Sequence, residues 1–211
     1  DLWVRVRSHA WKLKGADNAL AAMEAAGYQE LYAFQFDWDH QKSSFFVDFP
    51  KVFGAAHGTD IAFITGNYTY GPISRYIYPE GQARNEMQSS MMSAWSNFAK
   101  NGIPDTETTV TWQSFSASSP DYLRLDRNDL LRMDRESESI ESLLESVALS
   151  PVLTDYQRCY IVWETYNNVA RSEPQAYAQW NNGLCKTVDM RAEQKALADK
   201  LIAQYGSVEI L

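Results

Sequence analysis

The sequence holds few residues from which metal or redox chemistry could be built: two cysteines and three histidines in 211 residues, with no Cys-x-x-Cys pair. Asp37, Asp39 and His40 lie close together, as do His57 and Asp60. Neither set has a known zinc or calcium spacing, and no third ligand stands near either, so no metal site is expected. No glycine-rich phosphate loop occurs, and no cofactor is implied. A Gly-x-Ser-x-Gly segment is also missing, so no complete Ser–His–acid site can be assembled from these residues alone. No apolar run approaches the roughly 18 residues of a membrane span. Basic residues are outnumbered, 19 against 27 acidic ones, for a net charge of −8. That balance argues against nucleic acid or an anionic membrane as partner, and solubility explains it. There is no internal repeat and no low-complexity tract.

What is present is an ordinary globular composition, 45% hydrophobic and 22% charged, in a length that fits one domain or a large part of one. Aromatics are plentiful, with 7 Trp and 12 Tyr. Such rings fill cores more often than they line pockets. The opening run Asp1-Leu2-Trp3-Val4-Arg5-Val6-Arg7 has neither a signal-peptide pattern nor a start methionine, as in a processed or partial chain. Cys159 and Cys185 are either a bridge closing a loop in the C-terminal region or two separate buried thiols. A bridge would imply a secreted or periplasmic protein.

Along the chain, Trp11 to Gly27 reads as a lead-in and a short helix, with Asp17 as N-cap and Gly27 as the stop. Leu31 to Trp38 is short, β-rich and nearly continuously apolar, the pattern of a strand buried on both faces. A helix followed by such a strand is the repeating step of an α/β sheet. Gln82 to Lys100 forms the clearest helix, its stripe of Met87, Met91, Trp95 and Phe98 ended by Asn101-Gly102 and Pro104. A strand is expected at Tyr122 to Leu125, a surface-facing segment with some helix at Asp126 to Ser146, and helices at Tyr156 to Ala170 and Met190 to Tyr205. The last places Leu197, Leu201 and Tyr205 four residues apart, so the tail is expected to pack on something.

His9 near the start and His40 in a polar turn read as surface residues. His57 differs in its setting: Gly54, Ala55, Ala56 and Gly58 are too small to crowd the imidazole, and the loop follows the Phe34–Trp38 strand. Catalytic groups in open α/β sheets gather on loops beyond the carboxyl ends of strands. On these surroundings alone His57 is either a structural histidine or a catalytic one.

Three ordered segments carry a resemblance. Leu31-Tyr32-Ala33-Phe34-Gln35-Phe36-Asp37-Trp38-Asp39 is an aromatic run ending in an acidic turn. In the stretch from Gly54 to Gly66, His57 is followed by Gly58, an acid at Asp60, and an apolar run from Ile61 to Ile64. Trp95-Ser96-Asn97-Phe98-Ala99-Lys100-Asn101-Gly102-Ile103-Pro104 is followed by Trp112. Together they resemble the type-B carboxylesterases, α/β hydrolases that include cholinesterases and bacterial esterases, over roughly residues 10–125 and only loosely beyond. The resemblance implies that His57 is the general base of a Ser–His–Glu/Asp triad acting on carboxylic esters. In the family's order the serine and the acid precede the histidine, so both are expected upstream of Asp1. Asp60 corresponds to a carboxylate that ties down the loop, not to the triad acid. Phe53, Gly58 and Thr59 are expected to border the substrate. Arg158-Cys159-Tyr160-Ile161-Val162-Trp163 loosely resembles a cysteine-plus-aromatic segment of the family, which favours the bridge.

The expected fold is therefore α/β, residues 1–211 forming the C-terminal part of a single α/β-hydrolase domain: the last sheet strands, their covering helices and a helical tail. The implied partners are a small-molecule ester and an N-terminal portion carrying the nucleophile, either a separate chain or the other product of a nicked polypeptide. One rival reading is a catalytically inactive cholinesterase-like binding or adhesion module. Another is an independent non-enzymatic α/β domain.

Overall fold

The computed structural model describes residues 2–135, 138–169 and 174–208. In chain order its elements are α1 (Leu2–Lys12), a π-helical turn (Leu13–Asp17), α2 (Asn18–Ala25), β1 (Phe34–Phe36), α3 (Phe49–Val52), α4 (Ile61–Thr65), α5 (Ser74–Ile77), α6 (Gln82–Asn101), β2 (Asp121–Leu125), β3 (Arg132–Arg135), α7 (Ile140–Leu149), α8 (Asp155–Val169), α9 (Pro174–Gly183) and α10 (Met190–Tyr205). They fall into two compact units, one of Asp17–Glu136 and one joining Asp1–Ala16 to Ser137–Leu211.

The unit of residues 17–136 is mixed α/β. Its sheet runs β1-β2-β3, with β1 parallel to β2 and β3 antiparallel to it. Phe34 stands opposite Leu123 and Phe36 opposite Leu125. The apolar run is extended well beyond the three residues of β1: Leu31 O accepts from Phe115 N–H, Ala33 O from Leu123 N–H, and Asp37 N–H donates to Leu125 O. The bonds of Ala33 and Asp37 place the odd-numbered backbone groups toward β2. In a parallel ladder the groups of Phe34 and Phe36 then point to the other, open edge. The strand is not buried on both faces, as its sequence implied, since Phe34 is 40% exposed beside that edge. A run this apolar reads as central whether its neighbour is present or not.

Behind the sheet, Trp38, Phe63, Ile77, Met87, Met91, Ala94, Leu123 and Leu125 form the main core, with α4 lying against α6. The stripe on α6 is buried at Met87, Met91 and Ala94, while Trp95 is half-buried and Phe98 is exposed. Gly102 ends α6 in the left-handed region at φ 75°, its N–H returning to Phe98 O at 2.8 Å. It is this positive φ that calls for glycine, since the Glu30 carboxylate that a Cβ there would meet is the movable end of a flexible side chain. Asp17 is not an N-cap: its backbone is helical and continues the preceding π-helical turn. β3 occupies part of the segment Asp126 to Ser146, expected to face the surface with some helix, and α7 begins within the same segment. The charges of β3 alternate with Met133, and cross-strand pairs Arg135–Asp121 at 2.6 Å and Arg124–Asp134 at 3.0 Å support the pairing.

The other unit is helical. Val6 and Ala10 of α1 pack with Ile140, Leu143, Leu144 and Val147 of α7 and with Ile161 and Val162 of α8. His9 shares that face and is buried, contrary to a surface position at a loose start, because helix formation from Leu2 places it between Val6 and Ala10. Arg7 donates to Glu164 at 2.6 Å. Ser139 and Ser142 form a reciprocal cap on α7, and the Asp189 carboxylate accepts from Arg191 and Ala192 N–H at the start of α10. Cys159 and Cys185 are joined by a disulfide with Cα atoms 5.4 Å apart, fully buried beside Met190. Of α10 only Met190 is buried within the described residues, and Leu197, Ile202 and Tyr205 are exposed, so the expected packing of this tail is not seen. Ala170, the expected end of the preceding helix, lies outside the described residues.

Candidate active site

Between α3 and α4 the chain makes a tight turn with His57 exposed at its tip. Pro50 in the first turn of α3 starts that short helix, and its carbonyl accepts the Gly54 N–H at 3.1 Å. Gly54 and Gly58 have φ of 51° and 84°, conformations open to glycine at no steric cost. They let the chain reverse around Ala55, Ala56 and His57 without a bulky neighbour. Thr59 closes the turn: its N–H reaches Ala56 O at 3.2 Å and its hydroxyl donates to the same oxygen at 2.5 Å.

Of the residues expected to border substrate, Phe53 is half-buried with its ring 6.0 Å from that of Phe49, and Gly58 is half-buried beside the histidine. Thr59 is only 2% exposed and holds the turn from beneath. The Asp60 carboxylate makes no hydrogen bond among the described residues; the tie on this loop is made instead by Tyr78, whose hydroxyl donates to Thr59 O at 3.1 Å. Burial, with Tyr70, Asp60 and Tyr68 adding to it, pushes Tyr78 up to about 12, so it is a neutral donor throughout the working range. On the other side of the turn, buried Gln41 donates to Trp38 O at 3.2 Å and to Gly54 O at 2.7 Å.

Gln41 and Tyr78 were not marked by the sequence. A lone glutamine in a polar loop and a tyrosine in a Tyr/Gly/Pro-rich stretch carry no local signal, since their roles arise from contacts 13 and 19 positions away.

A second polar group gathers at the carboxyl ends of β1 and β2. His40 Nε2 lies 3.1 Å from Asp126 Oδ1 and 3.6 Å from Asp39 Oδ1, and His40 is partly covered rather than at the surface. Burial raises the Asp126 carboxyl, against lowering by the Arg127 N–H and by His40. Among the described residues these three could gather a cation, since their ligand atoms lie within 4.8 Å of one another. Asp126 comes from 86 positions away, which is why sequence spacing supplied no third ligand. The arrangement is accounted for as a hydrogen-bonded His–Asp pair joining two strand ends.

In the full chain, residues 12–142 match the model of the carboxylesterase family, a span that contains the sheet, the His57 turn and α6. The chain is similar to para-nitrobenzyl esterase of Bacillus subtilis, 28% identical over 120 residues that cover 56% of this chain and 22% of that protein. It is 30% identical to acetylcholinesterase of Bungarus fasciatus over 103 residues, 48% of this chain and 16% of the relative. Carboxylesterase 3 of Homo sapiens is 29% identical over 94 residues, 44% and 16% respectively. The chain thus spans about a fifth or less of the length of these curated relatives. No helix among the described residues is long and apolar enough to cross a membrane.

Proposed function

The chain belongs to the carboxylesterase family, and from that premise we propose that it is the C-terminal portion of an α/β-hydrolase domain in which His57 is the general base of carboxylic ester hydrolysis. The observation that carries the proposal is an exposed imidazole on a short glycine-flanked turn, anchored on both sides and following β1 of a parallel pair. His57 takes the proton of a serine hydroxyl as its oxygen attacks the ester carbonyl, then returns it to the departing alcohol oxygen as the tetrahedral intermediate collapses. The serine and the acid that fixes the imidazole tautomer belong to an N-terminal portion. Phe53, Gly58 and Thr59 border the bound ester, Thr59 by shaping the turn rather than by its engaged hydroxyl. No cofactor enters the reaction.

The N-terminal portion docks along the open edge of β1. Supporting this are the outward-pointing backbone groups of Phe34 and Phe36 and a hollow of about 180 Å³ among Tyr32, Phe34, Trp95, Phe98 and Trp112. An exposed strand edge beside apolar rings is an aggregation hazard unless it is covered. The fully buried disulfide supports a secreted or periplasmic protein.

The test is turnover of a short-chain p-nitrophenyl ester by the esterase containing this chain, before and after His57→Ala. Removal of a triad base is expected to lower kcat by about 10⁴-fold or more. Unchanged turnover in the variant overturns the assignment of His57, and absence of turnover in the parent favours the inactive binding module.

A further inference from the structure

The segment that presents His57 has little bulk with which to pack itself in place. Between Phe53 and Asp60 it has two glycines, two alanines and no regular secondary structure. A general base must stay within about 2.6–3.2 Å of the proton it abstracts. The bonds within the turn close it locally, and its placement is set by restraints from outside it, of which two buried side chains supply a pair.

Gln41 is 6% exposed and spends its amide group on two carbonyls, Trp38 O at the exit of β1 and Gly54 O at the start of the turn. Tyr78 is also buried, at the end of α5, and holds Thr59 O at the other side. The two anchors are joined to each other. The fully buried Trp38, whose carbonyl receives Gln41, donates its Nε1–H to Ile77 O at 3.0 Å, one residue before Tyr78. Tyr78 is fixed in turn by its own N–H to Ser74 O at 2.8 Å and by Arg84, which donates to Tyr78 O at 3.1 Å. The exit of β1, the end of α5 and both sides of the His57 turn are thus linked in a circuit that hydrogen bonds and the intervening chain close together.

We propose that Gln41 and Tyr78 are positioning residues for His57: they fix the turn at both sides and set where the imidazole stands. The proposal rests on the reading of His57 as the general base. Neither side chain needs to touch substrate. Each acts on a backbone carbonyl, so shape alone does not replace it. Methionine at position 41 fills similar space and removes both bonds, leaving Gly54 O only the Ala56 N–H at 2.9 Å from within the turn. Phenylalanine at position 78 keeps the ring contacts with Phe63 and Tyr68, whose centroids are 5.7 and 5.3 Å away, and loses only the hydroxyl.

The experiment compares Tyr78→Phe, Gln41→Met and His57→Ala in the esterase containing this chain. Both positioning variants are expected to keep KM within about two-fold and lose about 10- to 100-fold in kcat, the cost of a misplaced catalytic group. In the parent, hydrogen exchange is expected to show the Thr59 amide protected, and protection at Thr59 is expected to fall in Tyr78→Phe while amides of α6 keep theirs. Loss of activity in His57→Ala with parent-level kcat in the other two overturns this inference alone. Parent-level activity in His57→Ala overturns the underlying assignment instead. A Thr59 amide that exchanges in the parent as fast as an exposed loop overturns the inference even where a variant does not fold.

Discussion

Arg124 donates to the Asp37 carboxylate at 2.9 Å while its other terminal nitrogen lies 3.0 Å from Asp134, so one guanidinium on β2 pairs with carboxylates from the chain on either side of it. All three side chains are half-buried, a third exposed or less. Arg124→Met is expected to lower stability by about 1–2 kcal/mol, more than an exposed pair and less than a fully buried one. Urea unfolding of Arg124→Met, Asp37→Asn and the double variant checks this. Strictly additive effects would show that the pair contributes nothing beyond packing.

Two tyrosines should titrate late. Burial pushes both Tyr78 and Tyr68 up to about 12, Arg84 opposing the shift at Tyr68. The folded pKa values exceed the ordinary 10.0, so the folded state holds these protons longer than the unfolded chain. Their contribution to stability is full below pH 10.0 and is lost as pH rises through about 12. Phenolate absorbance should show a late-ionising fraction among the 12 tyrosines, and Tyr78→Phe should remove part of it. An unchanged titration curve in that variant would count against the buried donor role of Tyr78.

The difference between these long-range contacts and the elements that could be foreseen is physical. The run Leu31–Trp38, the helix ending at Gly102 and the small-residue setting of His57 are local patterns, and local patterns survive in a sequence read alone. The parallel pairing of Phe34 with Leu123, the His40–Asp126 pair and the Gln41 and Tyr78 anchors join residues far apart in the chain. Nothing in their neighbours announces them. β3 failed for a related reason: Arg132 to Arg135 looks like charged surface until Asp121 and Arg124 stand opposite it. His9 is a different case: it lies near the start of the sequence, yet its spacing with Val6 and Ala10 puts it on the buried face of α1.

The disulfide between Cys159 and Cys185 closes a loop of 26 residues. In the chain-entropy picture such a loop stabilises by about 3 kcal/mol. Replacing both cysteines by alanine is expected to remove an amount of that order from the helical unit. Thermal unfolding of the parent and the double variant, each with and without reductant, provides the measurement. Reductant should destabilise the parent alone, and a loss below about 1 kcal/mol would show that α8 and the segment before α10 hold together without the bond.

The apolar stripe on α6 reads as one feature in the sequence, yet the structure divides it. Met87 and Met91 are fully buried in the main core, whereas Phe98 is 47% exposed at the rim of the hollow formed with Tyr32, Trp95 and Trp112. The two halves should therefore fail in different assays. Met91→Ala leaves a cavity in the core and is expected to cost about 2–5 kcal/mol of stability. Phe98→Ala removes a ring that is still half in water, so its cost in stability should stay below about 1.5 kcal/mol, half a fully buried side chain or less. If the N-terminal portion covers the open edge of β1, Phe98→Ala and Phe34→Ala should weaken its retention instead, measured by its dissociation from this chain on size-exclusion chromatography. Retention unchanged in both variants would place the docking surface elsewhere, and a large stability loss in Phe98→Ala would mean that the hollow is core rather than contact surface.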